Sequence, residues 1–316
     1  MPKTRNEFIK LAGLGLSSVP LLSFGQANIF SNTNKNSLPP IYLFSKHLQF
    51  LDYNNMSNAA AEMGFNGLDL TVRPKGHVIP EKVEQQLPLA VEAMTKHGLQ
   101  ISMMTTNVVN PSINEEYKVL KTASDLGFKH YRMGWLKYNE EQTIEENIEI
   151  FKTDFLALET INKKLNLIGG YQNHAGNHVG APIWDLEQIL KNTKTNYIGS
   201  QYDIRHAVVE GGQSWELGLK LIQSRIRSIV IKDFKWGQKN GVWKPINTPL
   251  GEGMVNFKKY FSLLKKYKIN VPISLHLEYD LGGAEHGDKK TSINQKEVFK
   301  AMTKDLSFIR ETWKNA

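Results

Sequence analysis

The 316-residue chain contains no cysteine. Disulfides, thiolate catalysis and zinc–thiolate sites are therefore excluded, and so is a lipid anchor attached through cysteine. Long hydrophobic runs are scarce as well. Beyond residue 22 no stretch reaches the roughly 18 apolar residues that a membrane span requires, so the processed chain is expected to have no membrane partner. A concentration of one charge sign is also missing. Lysine and arginine outnumber aspartate and glutamate by 39 to 31, but the cations are scattered apart from short pairs such as Lys258-Lys259 and Lys265-Lys266. That is the pattern of solvated helix faces rather than of a nucleic-acid stripe, and no nucleic-acid partner is expected. What is present, 41% hydrophobic residues, can build one large core. Barrels of alternating strands and helices commonly take roughly 250 residues as one domain.

The N-terminus reads differently from the body. Thr4-Arg5-Asn6-Glu7-Phe8-Ile9-Lys10 precede an apolar stretch over residues 11–22, the charged-then-apolar order of a secretory signal, and Gly25 and Ala27 supply small residues for cleavage. The segment resembles a twin-arginine leader in which Asn6 takes the place of the second arginine, so the export pathway stays open. Residues 1–27 are expected to be a signal peptide, residues 28–40 a linker, and residues 41–316 the folded body, exported to the periplasm. An amphipathic helix is the alternative for the leader, but Gly13, Gly15 and Pro20 disfavour a stable one.

From residue 41 a unit recurs: a helical stretch, a glycine where the helix would end, then a short apolar strand. Ala59-Ala60-Ala61-Glu62-Met63-Gly64 comes before Gly67-Leu68-Asp69-Leu70, Thr95-Lys96-His97-Gly98 before Leu99-Gln100-Ile101-Ser102, and Ser124-Asp125-Leu126-Gly127 before His130-Tyr131-Arg132-Met133. Glycine there closes a helix in the left-handed conformation. Further strands are expected over residues 41–45, 165–173, 197–203, 226–233 and 271–278, with a last helix over residues 295–313. Eight strands alternating with helices imply parallel pairing, right-handed crossovers and closure into a single-domain α/β (β/α)8 TIM barrel. An open doubly wound sheet would need a glycine-rich phosphate loop after the first strand, and none follows residue 45.

In such barrels the reacting groups come from the carboxyl ends of the strands. Four ends are unusually polar: Tyr171-Gln172-Asn173-His174, Gln201-Tyr202-Asp203-Ile204-Arg205-His206, Ile231-Lys232-Asp233-Phe234 and His276-Leu277-Glu278-Tyr279. Strand alternation puts Gln172 with His174, Gln201 with Asp203, Val230 with Lys232, and His276 with Glu278 on one face each. A lone histidine of this kind is more often structural, whereas convergence from four strands points to a site. Arg73 and His77 after the second strand, and Arg132 and Trp135 at the fourth, add strand-end groups. Trp236 and Trp243 flank an Asn240-Gly241 turn, a hairpin signal, and are expected either on a flap beside the site or stacked in a hairpin core. Glu285 and His286 lie in a glycine-containing loop, where substrate contact and turn chemistry are both open readings.

Asn173-His174, Asp203-x-x-His206, Ile231-Lys232-Asp233, Leu250-Gly251-Glu252-Gly253-Met254-Val255-Asn256-Phe257 and Glu278 make the chain similar, from about residue 41 to the last helix, to the xylose-isomerase-like family of sugar isomerases, epimerases and inosose dehydratases. The resemblance implies a divalent metal of the Mn, Mg, Co or Zn class, held by glutamate, aspartate, histidine and glutamate from four successive strands. Asp203 matches the aspartate, Glu278 the second glutamate, and His206 a substrate-touching histidine. Gln172 stands where the first glutamate is expected and Val230 where the metal-binding histidine is expected. The expectation is nevertheless a retained metal on Asp203, Glu278, His174 and His206. The alternative is that Lys232 supplies the positive charge itself.

The family's two glutamates provide bases on both faces of a substrate carbon. With Gln172 in place of one, Glu278 is left as the base, with His206 or His276 to return the proton. One base suits an aldose–ketose isomerisation or an elimination better than an epimerisation. Gln172, Asn173, Arg73, Trp236, Glu285 and His286 are the expected substrate contacts. The expected ligand is a small sugar or keto-sugar, and export argues against an intracellular phosphorylated one. A sugar-binding barrel without catalysis is the competing class; it would be expected to lose Asp203 and Glu278, and both are present. A metal-dependent endonuclease shares the barrel but needs many more histidine and carboxylate ligands. Homo-oligomerisation is left open.

Overall fold

A computed structural model describes residues 37–316. The expected leader and all but the last residues of the expected linker lie outside the described residues. Eight strands, β1 (Ile41–Phe44), β2 (Gly67–Thr71), β3 (Gln100–Thr105), β4 (His130–Arg132), β5 (Ile168–Gln172), β6 (Ile198–Asp203), β7 (Ile226–Ile231) and β10 (Ile273–Leu275), form a closed barrel with β10 pairing both β1 and β7. Every barrel pairing is parallel. Helices surround it: α1 (Tyr53–Glu62), α2 (Val83–Lys96), α3 (Asn114–Asp125), α4 (Ile144–Leu165), α5 (Ile183–Leu190), α6 (Ile204–Gly211), α7 (Trp215–Ile222), α8 (Phe257–Lys266) and α9 (Gln295–Lys314). Strands covered on both faces bury nearly every residue, which is why β2, β6 and β10 are buried from end to end and not in alternation. Among the described residues no helix is long and apolar enough to cross a membrane.

The recurring glycines do what their position requires. Gly64, Gly98 and Gly127 adopt φ of 87°, 72° and 92°. In each case the next residue's N–H reaches back to a helix carbonyl: Phe65 to Ala60 at 3.1 Å, Leu99 to Met94 at 3.0 Å, and Phe128 to Ala123 at 3.1 Å. These next residues, Phe65, Leu99 and Phe128, are buried. The turn thus satisfies an orphan carbonyl and delivers an apolar anchor to the core just before the following strand.

Three boundaries differ from the sequence reading. The fifth strand starts at Ile168, not at residue 165, because α4 continues through Leu165 and is closed by Asn166 in the left-handed conformation, φ 55°. The seventh ends at Ile231; Asp233 instead opens a second, antiparallel pair, β8 (Asp233–Lys239) with β9 (Val242–Thr248), joined at Asn240-Gly241. The eighth is paired only over Ile273–Leu275, and the segment carrying His276 and Glu278 leaves the ladder above it.

Nothing lies within 4 Å of a Cβ built on Gly98, so substitution there meets only the backbone penalty. Gly98→Ala is expected to lower stability by about 1 kcal/mol and Gly98→Asn by less, since asparagine tolerates the left-handed region. Urea midpoints at an unchanged m-value measure this; equal midpoints for parent and alanine variant would contradict the conformational argument.

Candidate active site

A polar cavity of about 130 Å³ opens at the carboxyl ends of the strands. Phe44 and Lys46 border it from β1, Arg73 from β2, Arg132 and Trp135 from β4, Gln172 and His174 from β5, Lys232 from β7, and His276 and Glu278 from β10. Pockets for drug-sized ligands run to roughly 300–1,000 Å³, so this one suits a single small polar molecule. A larger cavity of about 160 Å³, beside Trp184 and Trp215, lies among the outer helices and lacks this convergence of charged groups.

Lys232 stands at the centre of the cluster. Its Nζ lies 3.2 Å from Asp203 Oδ2 and 3.5 Å from Glu278 Oε2. Lys46 Nζ approaches the other Glu278 oxygen at 3.6 Å. Gln172 donates through Nε2 to Asp203 Oδ2 at 2.7 Å and accepts from Arg132 at 3.3 Å, so both ends of its amide are committed. The remaining Asp203 oxygen accepts the His206 backbone N–H at 3.2 Å, capping α6. Burial opposes ionisation of Glu278, but the Lys232 ammonium, the His276 imidazole and Lys46 together hold its carboxyl well below the usual range. Glu278 is therefore a carboxylate at neutral pH.

The histidines do not titrate near neutrality, contrary to the role expected for His206 and His276 as proton-returning acids. Burial pushes His276 down to about 3 and His174 to about 4, with Lys232 adding to both, and it pushes His206 well below its ordinary value. His276 stacks on Phe44 at 4.1 Å between ring centres, and its Nε2 meets Ser274 Oγ at 3.1 Å; Ser274 in turn donates to buried Asp69. His174 packs 4.0 Å from the His206 ring. These are neutral imidazoles placed by packing.

The expected metal set is not assembled. Among the described residues no three histidine or carboxylate side chains are grouped to hold an ion. The two carboxylates that match family ligands face an ammonium, Gln172 presents N–H donors to Asp203 where a glutamate would present oxygen, and Val230 offers no donor. A hard or borderline cation needs oxygen or imidazole donors without a fixed positive charge among them, so these residues do not fit the metal.

Four expected substrate contacts lie elsewhere. Asn173 is wholly buried and clamps β5 to β6, accepting from Asp203 N–H at 2.8 Å and donating to Asp203 O at 3.0 Å. Glu285 turns inward to accept the N–H groups of Leu281 and Gly283, each at 2.9 Å, and the His286 side chain is 75% exposed beside it. This loop is turn chemistry. Trp236 sits on the hairpin edge-on to Phe234 at 6.2 Å and does not line the cavity. Arg73 and Gln172 do line the mouth. The sequence reading of site residues passed over Lys46, which follows β1 directly, and gave Arg132 little weight although it ends β4. Position at a strand end was the available signal for both.

The Leu250-Gly251-Glu252-Gly253 motif is explained by Asp233, whose carboxylate accepts N–H groups from Phe234, Gly251, Gly253 and Val255 at 2.8, 3.0, 3.0 and 3.1 Å. A Cβ on Gly253 would lie 2.3 Å from Asp233 Oδ1, which requires glycine there. The motif fastens the loop beyond the hairpin to the end of β7 and so steadies Lys232.

A closed parallel barrel with converging acid–base groups at its strand ends defines a class of α/β-barrel proteins with the site at the mouth. Within that class the chain belongs to the xylose isomerase-like TIM barrel family, whose model matches residues 58–302. Similar solved structures include the IolI protein with a bound zinc atom (14% identity, TM-score 0.68, 87% of this chain and 99% of that one). D-allulose 3-epimerase from Methylomonas sp., in complex with D-allulose, aligns at 13% identity and TM-score 0.64, over 87% of this chain and 97% of that one. The probable 3-DHS dehydratase AsbF from Bacillus anthracis aligns at 13% identity and TM-score 0.59, over 85% and 99%. At these identities the likeness is one of fold. No curated protein sequence matches the chain.

Chelator-treated protein offered Mn²⁺, Co²⁺ or Zn²⁺ is expected to retain less than about a tenth of an equivalent after dialysis, with an unchanged melting temperature. Elemental analysis reads this. One equivalent bound, together with a raised melting temperature, would mean that Lys232 yields its place to the ion.

Proposed function

We propose that the chain is a sugar-active isomerase or carbon–oxygen lyase that removes a proton next to a carbonyl, with Glu278 as base and Lys232 as the group that steadies the developing oxyanion. The observation that carries this reading is the ionised Glu278 carboxylate beside the Lys232 ammonium in a small polar strand-end cavity. In outline, a Glu278 oxygen takes the proton from the carbon next to the carbonyl and the electron pair moves to the carbonyl oxygen. The Lys232 N–H donates to that oxygen, in a site where fixed charge needs no reorganisation. Return of that proton from Glu278 to the former carbonyl carbon, with the hydroxyl proton of the deprotonated carbon passing to the oxyanion, gives isomerisation; if instead the enolate collapses to the carbonyl and expels a hydroxyl from the β-carbon, which takes the Glu278 proton and leaves as water, the outcome is elimination. The family and the sugar epimerase and dehydratase neighbours support a substrate of this kind. Gln172 is held at both ends of its amide and carries no charge, which supports proton transfer on one face and disfavours epimerisation.

Glu278→Gln is expected to lower turnover by about 10³-fold and to leave a folded protein with a smaller stability loss than removal of Lys232 causes, because the amide is nearly isosteric but no longer pairs with Lys46 and Lys232. Lys232→Met is expected to lower turnover by about 10²-fold or more and, unlike Glu278→Gln, to cost about 3 kcal/mol of stability, since Asp203 is left buried without its cation. The measurements are urea unfolding and carbon-bound deuterium exchange in heavy water with a panel of aldoses, keto-sugars and sugar acids. A parent protein that exchanges no carbon-bound hydrogen in any of them would sink the proposal.

Export to the periplasm is part of the same reading and rests on the charged start, the apolar stretch over residues 11–22 and the small residues after it. Full-length chain produced in a bacterium is expected to yield a mature form beginning near Asn28, as read by intact-mass spectrometry. Uncut chain in the cytoplasmic fraction of the native host would reverse the assignment.

A further inference from the structure

The cavity mouth holds more positive charge than its own carboxylates neutralise. Four cationic side chains, Lys46, Arg73, Arg132 and Lys232, line it, against one carboxylate, Glu278. Lys232 is matched by Asp203 and Glu278, and Lys46 by Glu278. The two arginines have no such match. Among the described residues no carboxylate pairs with either guanidinium. Arg132 is 3% exposed, yet its partners are the neutral Gln172 oxygen at 3.3 Å and the Thr106 carbonyl at 3.5 Å, and its Nε has no partner. Its guanidinium lies over the Trp135 ring at 4.6 Å, and that of Arg73 over the Phe44 ring at 5.5 Å. Asp69, the nearest acidic group below, is wholly buried and already accepts hydrogen bonds from Thr105 at 3.0 Å and Ser274 at 2.6 Å.

A buried guanidinium without a carboxylate is costly unless something completes it. Around the closed barrel, β2 and β4 flank β3, and β4 lies across the mouth from β10, which carries Glu278. We infer that Arg73 and Arg132 form a subsite for an anionic group of the substrate, a carboxylate or phosphate, held over β3 while the reacting carbon lies toward Glu278 and Lys232. A planar guanidinium pair offers forked N–H donors that match either oxyanion, and the Phe44 and Trp135 faces keep both forks in place. Burial, with Arg73 adding to it, pushes Arg132 down to about 9 against the opposing pull of Asp69 and Glu278. The inference rests on the reading that substrate occupies this cavity, and it narrows the substrate from any small sugar to one that carries an anionic group.

Binding separates this from the proposed reaction. Calorimetry with D-glucuronate, D-gluconate and D-glucose 6-phosphate, each compared with D-glucose, is expected to show at least one charged probe binding about tenfold or more tightly than the neutral one, with the advantage shrinking as salt is raised. Arg73→Gln, at a half-buried position, and Arg132→Gln should each remove most of that advantage, weakening the charged probes by more than they weaken D-glucose. The tighter of the sugar acids and the phosphate identifies which oxyanion the subsite takes. Equal binding of charged and neutral probes, no binding of any charged probe, or equal weakening of both kinds in the Arg73 variant overturns the subsite. Glu278→Gln titrated in parallel keeps the two ideas apart: a charged-probe advantage that survives there, in a protein that never exchanges carbon-bound hydrogen, leaves the subsite standing and the proposed reaction refuted.

Discussion

An ammonium between two carboxylates is the constraint around which the strand ends are arranged. Asp203 is wholly buried, and without Lys232 at 3.2 Å its ionised form would carry a large desolvation penalty. The same ammonium holds Glu278 ionised at the mouth. Gln172 donates to the same Asp203 oxygen that faces Lys232, which a glutamate could not do without placing two carboxylates in contact. The Gln172 amide and the inward reach of Lys232 thus fit together: positive charge comes from a lysine, and the group beside Asp203 is a neutral donor.

Around this centre, much of what looks chemical in the sequence is mechanical. Asp233 ties four backbone N–H groups and makes the glycine-rich stretch after the hairpin an anchor for the end of β7. Asn173 clamps β5 to β6, and Glu285 closes its own turn. The neutral histidines belong partly with these. Their burial between aromatic rings and cations leaves them hydrogen-bonding groups of fixed orientation, as in the run from His276 through Ser274 to Asp69.

Relatives of similar fold bind a zinc atom or a keto-sugar. In this chain the same barrel mouth presents Lys232 between Asp203 and Glu278, with Lys46, Arg73 and Arg132 also lining the cavity. A small cavity lined by few groups restricts which carbon of a bound ligand can lie beside the base.

The barrel was legible in the sequence because its signals are local. A helix-closing glycine needs a left-handed residue whatever surrounds it, so Gly64, Gly98 and Gly127 mark three units at sight, and eight apolar strands separated by helices leave little but closure. The strand-end rule likewise pointed to Asp203, Lys232 and Glu278. Strand limits were less legible at 165–168 and 232–233, where a helix that runs on and a hairpin that begins at once are decided by packing. Which polar residue faces the cavity and which faces a backbone N–H was not written in residue type: Asn173 and Gln172 are adjacent amides with opposite fates. The charge states of His174, His206 and His276, the exclusion of a metal donor set by Lys232, and the unmatched charges of Arg73 and Arg132 depend on burial and on distances between groups far apart in the chain. Only the closed barrel, by bringing all eight strand ends to one small mouth, sets those distances.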